Sequence, residues 1–453
     1  MHQEHKKNEH YKMSSLLKNI IKEVEALNFE SEPDLAGFIK KYDGTIAEAT
    51  AFPVTVGTVC AIQLECGGEA QAEVIGFREG NTLLAMHDLA APIKPSARVV
   101  PSKEGQSFAV GSGCLGRVIN AYGLPLDDLA NIEDNITWPA RGKISNPLAS
   151  ADISESLDVG VRAINGLFTV GVGQRMGIIA GSGVGKSTLL GMMARFTSAE
   201  VVVVGLIGER AREVRSFVND VITPATKDRT VVVAEPAGSA PLLRIRAALR
   251  ATAIAEYFRE KGKNVLLIMD SLTRVAHAQR EIGLALGEQA TTKGYPPSVM
   301  AMISQLVERT GLGPAGKGSI TAFYTVLADG DDVSDPVVDS ARAILDGHIV
   351  LSRKQAEMGI YPAIDIAASV SRVMPKIVGD TQLEAAVSFK RAMSVYMENR
   401  DLIMMGGYRA GADNAVDRAI ELLPKLTSFQ MQNDMNPASL DESNQRLLQV
   451  FNA

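Results

Sequence analysis

Apolar residues follow three different patterns along this 453-residue chain, and the first predicts a small β-barrel. Between residues 34 and 101, short apolar runs are separated by glycine turns such as Gly67-Gly68 and Gly80-Asn81. The strands predicted in this way are residues 54–64, 72–77, 82–86 and 98–100. Nothing in this part of the sequence looks catalytic.

The second pattern consists of strands that are apolar on both faces. These runs are residues 176–180, 201–207, 230–234, 265–269, 320–327 and 349–351. They alternate with helical patterns such as residues 242–260, which is typical of a parallel sheet covered by helices on both sides. Ligands of such sheets bind beyond the carboxyl ends of the strands, so we expect the functional residues there.

The third pattern is helical and occupies both ends of the chain. Residues 383–400 and 415–423 have helical spacing, and we expect the second helix to end before Pro424. The polar stretch after Gln430 favours a mobile end. Apolar positions between residues 14 and 27 predict an amphipathic helix, which either packs on its own protein or docks a partner. Histidines occur among residues 1–13, but they have no acidic or cysteine partner on a fixed element, so we expect a solvated tail rather than a metal site.

Composition narrows the range of partners. A formal net charge of -6 with 5% aromatic residues argues against a nucleic-acid groove, which needs basic stripes and stacking rings, and favours protein partners.

The three cysteines, Cys60, Cys66 and Cys114, lack metal-ligand or redox spacing, which is typical of reduced thiols in a cytosolic protein. No segment is long and apolar enough to span a membrane, so any membrane association is expected to be peripheral. The single tryptophan, Trp138, is either a stacking ring for a ligand or a packing anchor.

The strongest chemical signal is a glycine loop between a predicted strand and a predicted helix. Gly181, Gly183 and Gly185 let the backbone turn its N–H groups towards a phosphate chain. Lys186 places a cation near the outer phosphates, and the Ser187 hydroxyl is suited to Mg²⁺. The whole loop is Gly181, Ser182, Gly183, Val184, Gly185, Lys186, Ser187 and Thr188. This P-loop predicts a nucleoside triphosphate site, although its first position, usually glycine, is Ala180.

Two acidic residues follow predicted strands at the same edge of the sheet. Asp270 is placed either to reach Mg²⁺ or to cap the next helix, and the P-loop favours the metal. Glu209 is placed to polarise the water that attacks the γ-phosphorus, with Arg210 steadying the phosphate charge. The alternative for Glu209 is a favourable acid in the first turn of a helix.

Several motifs together resemble the type III protein-export ATPases, which are related to the catalytic subunit of rotary ATP synthase. Besides the P-loop and Gly208-Glu209-Arg210, they are residues 270–274 (DSLTR), 278–283 (AQREIG), 294–298 (GYPPS), 319–327 (SITAFYTVL), 344–353 (ILDGHIVLSR) and 361–365 (YPAID). The similarity extends from about residue 113 to 423. Loops at residues 235–239 and 288–292 depart from the usual family pattern, which affects fine loop contacts. Asp329 to Asp332 lack the remainder of a Ca²⁺ loop and are expected to be solvated.

The resemblance implies roles for further residues. Lys186 and Ser187 would hold phosphate and Mg²⁺, Glu209 would activate water, and Asp270 would be the acidic metal partner. Arg210 and Arg274 would assist at the γ-phosphate. The remaining roles implied by the family are an adenine-stacking ring at Tyr361, otherwise a tyrosine packed before a proline turn, and an arginine finger at Arg372. A finger lent by a neighbour would make hydrolysis depend on assembly.

The sequence thus predicts an α/β protein with a P-loop RecA-like parallel sheet. The divisions are a tail with a docking helix (residues 1–33), a β-barrel (34–103), a P-loop ATPase domain (104–377) and a helical C-terminal domain (378–453).

The implied function is an ATP-hydrolysing ring of six in a type III export apparatus, cytoplasmic and peripheral to the inner membrane. Its implied partners are a regulator at the N-terminal helix, a central stalk protein, export chaperones and substrates at the C-terminal domain, and a membrane export gate. The sequence after Asp270 mildly favours a flagellar over a virulence apparatus. Less favoured alternatives are a rotary synthase subunit, an RNA-translocating ring, and a nucleotide-binding subunit without turnover.

Overall fold

A computed structural model describes residues 35–65, 67–102, 106–133, 136–143, 151–314, 317–328 and 335–451. The predicted helix at residues 14–27, the acidic loop at Asp329 to Asp332, and Cys66 lie outside these ranges. None of the helices within them is long and apolar enough to cross a membrane. The expected roles of those three segments therefore stay predictions.

The N-terminal part is a closed barrel of six strands in the order β1-β2-β5-β4-β3-β6. Its strands are β1 (Gly37–Tyr42), β2 (Ile46–Thr50), β3 (Val59–Gln63), β4 (Glu69–Arg78), β5 (Asn81–Met86) and β6 (Arg98–Pro101). Alternate side chains point inwards and form its core, including Ile39, Ile62, Val74 and Leu84. The predicted barrel is confirmed, but strands β1 and β2 were not predicted. In β1 two consecutive lysines interrupt the apolar pattern, and β2 has a single large apolar residue, Ile46.

Short strands follow the barrel along the chain, and one of them, β8, joins the central sheet. They are β7 (Ser107–Val110), β8 (Val118–Ile119), β9 (Ile136–Pro139), β10 (Ser156–Leu157) and β11 (Val170–Gly171). Trp138 on β9 is buried, and its indole N–H donates to Glu256 Oε2 over 2.8 Å. Trp138 is therefore a packing anchor.

The central sheet has the strand order β19-β18-β12-β17-β15-β13-β14-β8, and β16 pairs with β17 beside this path. Its remaining strands are β12 (Arg175–Ala180), β13 (Val201–Glu209), β14 (Thr230–Pro236), β15 (Asn264–Asp270), β16 (Gly311–Leu312), β17 (Ser319–Leu327), β18 (Gly347–Val350) and β19 (Val370–Ser371). The five central neighbours from β18 to β13 pair in parallel, as do β14 and β8, so their carboxyl ends share one edge.

Helices cover both faces of this sheet. Along β13, Val201 and Val203 belong to one buried cluster, whereas Val202 and Val204 belong to another on the opposite face. The helices are α1 (Arg162–Leu167), α2 (Lys186–Phe196), α3 (Ala211–Val221), α4 (Pro241–Glu260), α5 (Leu272–Ala285), α6 (Pro297–Glu308), α7 (Pro336–Ile344), α8 (Arg353–Glu357), α9 (Met374–Ile377), α10 (Asp380–Met404), α11 (Asn414–Gln430) and α12 (Leu440–Phe451). The predicted α/β class is confirmed, because continuous apolar strands are buried on both faces.

Two predictions about the C-terminal helices are wrong. Helix α11 continues through Pro424 to Gln430, because Phe429 beyond the proline packs on Phe389 with ring centroids 5.3 Å apart. The stretch after Gln430 includes a packed helix, α12, in which Leu447 is fully buried. Tertiary packing here overrides a local helix breaker and a polar composition.

Candidate active site

The P-loop joins β12 to α2 at the carboxyl edge of the sheet. Gly183 and Gly185 have φ angles of +78° and +87°, a conformation that glycine adopts without strain. Among the described residues no side chain caps the start of α2, where Gly185 is the N-cap. The first N–H groups of this helix are therefore available to an anion, and its dipole favours one. Ser187 and Thr188 are exposed on this turn.

Lys186 lies between two carboxylates. Its Nζ is 3.3 Å from Glu209 Oε1 and donates a hydrogen bond to Asp270 Oδ1. The side chains of Lys186 and Glu209 are each 12% exposed, and that of Asp270 is 4% exposed. Three residues that are distant in sequence thus meet at the ends of β12, β13 and β15. This is the arrangement that the strand-end argument predicted.

The carboxyl group of Glu209 lies in an environment that opposes its charge. Burial raises its pKa above the usual value, and the nearby negative charge of Asp270 raises it further. Lys186 acts in the opposite direction by attraction and hydrogen bonding. A carboxylate with a raised pKa is a stronger base than an exposed glutamate, which suits proton abstraction from water.

Asp270 is the last residue of β15, and Ser271 is the N-cap of α5. The alternative of Asp270 as helix cap is therefore wrong. Its Oδ1 also accepts a hydrogen bond from the hydroxyl of Thr325 over 2.7 Å. The sequence argument missed Thr325, which is fully buried. A hydroxyl within the otherwise apolar end of a buried strand was the signal that could have found it.

Gly208 directs Glu209 towards Lys186. Its φ is +72°, and the pairing of β13 with β14 shifts register between Ile207 and Glu209. A Cβ at position 208 would lie 2.9 Å from Arg274 Cβ, closer than van der Waals contact allows. Only glycine fits this bulge, so Gly208 is a positioning residue that the sequence argument quoted only as part of a motif.

The two arginines predicted near the γ-phosphate lie in different surroundings. Arg210 has an 80% exposed side chain and an ion pair with Glu213 at 3.4 Å. Arg274 lies against Gly208, and its buried Nε has no hydrogen-bond partner among the described residues. The structure thus places Arg274 next to the bulge at Gly208, whereas Arg210 pairs with Glu213 on α3, the helix that it precedes.

Tyr361 lies beside the P-loop. Two of its ring carbons, Cδ1 and Cε1, are 3.4 Å from the position that a Cβ on Gly185 would occupy. The side chain is 45% exposed, which contradicts the alternative of a tyrosine packed before a proline turn. An aromatic face that is open to solvent next to a phosphate loop can stack on a base.

Arg372 lies apart from the Lys186 cluster, directly after the edge strand β19. Its guanidinium donates to the carbonyl oxygens of Leu345 and Arg342 over 3.2 and 3.0 Å, near the end of α7. It makes no hydrogen bond to the P-loop, Glu209 or Asp270 of its own chain within the ranges that the structure covers. Its exposed position at the sheet edge is compatible with the finger that the resemblance implies.

The donor chemistry of the site fits Mg²⁺. This ion prefers oxygen ligands and usually takes only one or two from protein side chains beside those of phosphate and water. The Ser187 hydroxyl and the Asp270 carboxylate are such ligands at adjacent strand and helix ends. Both hydrogen bonds to Asp270 named above fall on the same oxygen, Oδ1.

Comparison with known proteins agrees with this geometry. The family profile described as the ATP synthase alpha/beta family, nucleotide-binding domain, matches residues 160–371. A second profile, the T3SS EscN ATPase C-terminal domain, matches residues 378–449. Both the central sheet with its P-loop and the C-terminal helices are therefore similar to known families.

Individual relatives match over almost the whole chain. A flagellum-specific ATP synthase of Pseudomonas aeruginosa is 50% identical, covering 94% of this chain and 96% of the relative. The solved structure of the assembled ATPase EscN from the type III secretion system of enteropathogenic E. coli is 40% identical, with a TM-score of 0.86, over 91% of this chain and 99% of that one. EscN in complex with its central stalk EscO gives a TM-score of 0.82 at 39% identity, with the same coverage.

Proposed function

This chain belongs to the family of flagellum-specific ATP synthases and type III secretion ATPases and hydrolyses ATP in a type III export apparatus; from that premise we propose how it does so and for which cargo. The observation that carries the proposal is Lys186, held between Glu209 and Asp270 at the P-loop. This constellation has the parts that phosphoryl transfer to water requires.

In the proposed cycle, ATP enters with its phosphates on the N–H groups of the P-loop and the first turn of α2. Lys186 then exchanges its two carboxylate partners for the outer phosphates. Its departure leaves Glu209 without its nearest cation, so the carboxylate becomes more basic. Glu209 orients the attacking water and takes its proton, while Arg210 and Arg274 are proposed to steady the γ-phosphate.

Mg²⁺ would be held by Ser187 and Asp270 and would neutralise phosphate charge. Thr325 keeps the Asp270 carboxylate in place when Lys186 turns to the phosphates, because its hydroxyl bonds the same oxygen. Tyr361 stacks on the adenine beside Gly185.

We further propose that the active form is a homo-hexamer in which Arg372 of one subunit completes the site of the next. A finger of this kind typically accelerates hydrolysis by about 10³ to 10⁵. The exposed sheet edge carrying Arg372 and the assembled form of the EscN relative support this proposal. A central stalk protein is proposed as a partner, because the EscN relative was solved with its stalk EscO.

The proposed biological role is chaperone release and delivery of export substrates to a membrane gate. Chaperones and substrates would bind the C-terminal helices, a regulator would bind the N-terminal helix, and contact with the inner membrane would be peripheral. The flagellar apparatus is favoured over the virulence injectisome, because the flagellum-specific relative is 50% identical whereas EscN is 40% identical.

The test is a chromosomal Glu209→Gln substitution in the native cell. The matched control is Glu200→Gln, just before the opposite end of β13, where the carboxylate is 45% exposed and pairs with Lys263. We expect Glu209→Gln to stop secretion of flagellar subunits and filament assembly while the protein level stays unchanged. Loss of effector secretion with normal flagella would favour the injectisome instead, and normal secretion of both would contradict the proposal.

A further inference from the structure

The carboxyl end of α11 is held by a buried cation from the nucleotide-binding part of the chain. Nη1 of Arg162, on α1, lies 3.3, 3.2 and 3.1 Å from the carbonyl oxygens of Ser428, Phe429 and Met431. Arg162 is 9% exposed. Helix ends carry unpaired carbonyl groups with partial negative charge, so a guanidinium here fixes the end of α11.

This end of α11 also holds the segment that carries Tyr361. The buried amide of Gln430 donates to the Ile364 carbonyl over 2.7 Å and to Gln355 Oε1. The backbone N–H of Gln432 donates to the Tyr361 carbonyl over 2.9 Å. Gln432 is itself bound through its side-chain oxygen to the Arg162 N–H at 2.7 Å. The end of α11 thus contacts Tyr361 and Ile364, the residues on either side of Pro362 and Ala363.

Tyr361 needs such support. Its ring is nearly half exposed, so packing of the side chain contributes little to fixing its position. Its place beside Gly185 is therefore determined by its backbone. The far side of the segment is bonded to the β18 region, where Asp365 N–H donates to the Val350 carbonyl over 2.8 Å, whereas the carbonyl of Tyr361 itself is bonded from the end of α11. A displacement of α11 would move the ring relative to the P-loop.

We propose that Arg162 and Gln430 are positioning residues that fix Tyr361 over the adenine subsite through the end of α11. The position of this C-terminal helix then sets the affinity for the base of ATP, without altering the phosphate site. By thermodynamic reciprocity, bound ATP stabilises the packing of α11 in this position. The inference rests on the proposed role of Tyr361 in stacking on adenine.

The experiment compares two ligands on the full-length protein by calorimetry: ATP, and inorganic tripolyphosphate, which has no base. Gln430→Leu keeps the approximate size of the side chain and removes the amide. It removes the hydrogen bonds of the amide to Ile364 and Gln355, and we expect the loosened Tyr361 segment to weaken ATP binding by about three- to tenfold. Tripolyphosphate binding should stay unchanged.

The matched control is Gln382→Leu. Gln382 also joins the C-terminal helices to α1, donating to Thr169 Oγ1 over 3.0 Å and to the carbonyls of Asn165 and Gly166 over 3.3 Å. None of these partners lies in the Tyr361 segment. This variant should bind both ligands with normal affinity.

Tyr361→Ala separates the possible failures. If it leaves the ratio of ATP to tripolyphosphate affinity unchanged, the proposed role of Tyr361 is wrong. If it lowers this ratio and Gln430→Leu does not, the positioning inference is overturned. Equal weakening of both ligands by Gln430→Leu also overturns it. Should Gln430→Leu not fold, Gln432→Ala, which removes the bond to the Arg162 N–H, provides the same readout.

Discussion

The substitution Glu209→Gln separates binding of ATP from its hydrolysis. The amide keeps the size of the side chain but cannot take a proton from water. Loss of a general base typically costs about 10² to 10⁴ in rate, and we expect kcat to fall within that range. Binding should not weaken, because Lys186 retains Asp270 as a partner and remains available to the phosphates.

Electrostatics predicts tighter binding of ATP to this variant. Two like charges about 6 Å apart repel by roughly 3 kcal/mol at an effective dielectric constant near 20. Removing the charge of Glu209 relieves such a repulsion with the γ-phosphate. Lys186 and Mg²⁺ already offset most of it, so we expect an increase in affinity of at most about tenfold.

The pH dependence follows from the raised pKa of Glu209. The basic form exists only above that pKa, so the acid limb of kcat should lie above the range of an ordinary glutamate, about 4.3. The folded state binds the proton of the Glu209 carboxyl more tightly than the unfolded state does. The free energy of unfolding contributed by Glu209 therefore falls as pH rises from the unfolded pKa through the folded pKa. Glu209→Gln should remove this contribution to the slope.

The assay combines steady-state hydrolysis from pH 4.5 to 8, calorimetric ATP binding, and urea unfolding across the same range. A variant that hydrolyses ATP at the normal rate would refute the role of Glu209 in activating water. A variant that no longer binds ATP would refute the separation of the two functions.

Three further substitutions test the supports of the site and the fold. Gly208→Ala forces a non-glycine residue to φ +72° against Arg274, so we expect a loss of about 1–2 kcal/mol in urea unfolding together with a lower kcat; normal turnover would contradict the bulge argument. Thr325→Val removes the hydrogen bond to the Asp270 carboxylate, which is worth about 1.5–3 kcal/mol, so it should lower Tm and raise the Mg²⁺ concentration needed for half-maximal activity. An unchanged Mg²⁺ titration would show that Asp270 needs no second anchor. Glu256→Gln leaves the buried Arg309 without a negative partner and should lower the free energy of unfolding in urea by about 3–5 kcal/mol, while the ATP affinity of the folded protein should not change.

The sequence predicted what depends on local pattern. The P-loop, the apolar strands and the acids at their ends are local features, and parallel strand ends meet at one edge by geometry alone. Lys186, Glu209 and Asp270 could therefore be brought together without a structure. Contacts that depend on the pairing of strands distant in sequence could not be predicted in this way. Thr325 reaches Asp270 only because β15 and β17 are neighbours in the sheet.

The same distinction explains the errors at the C-terminus. Pro424 is a local signal for the end of a helix, but the burial of Phe429 against Phe389 depends on how α10 and α11 pack. The α12 helix has only a narrow apolar stripe, in which Leu447 and Val450 are buried, and most of its other residues are polar. Its existence follows from the surface on which it docks rather than from its own sequence.

The central claim is that two neighbouring subunits share each site, and mixing two inactive variants tests it most directly. Arg372→Ala and Glu209→Gln should each be inactive alone. In randomly mixed rings, roughly a quarter of the seams combine an intact Glu209 with an intact Arg372 from the neighbour. The account predicts that mixing the two proteins restores up to about a quarter of the wild-type ATPase rate. No recovery in rings shown to contain both variants, or full activity of either variant alone, would contradict it.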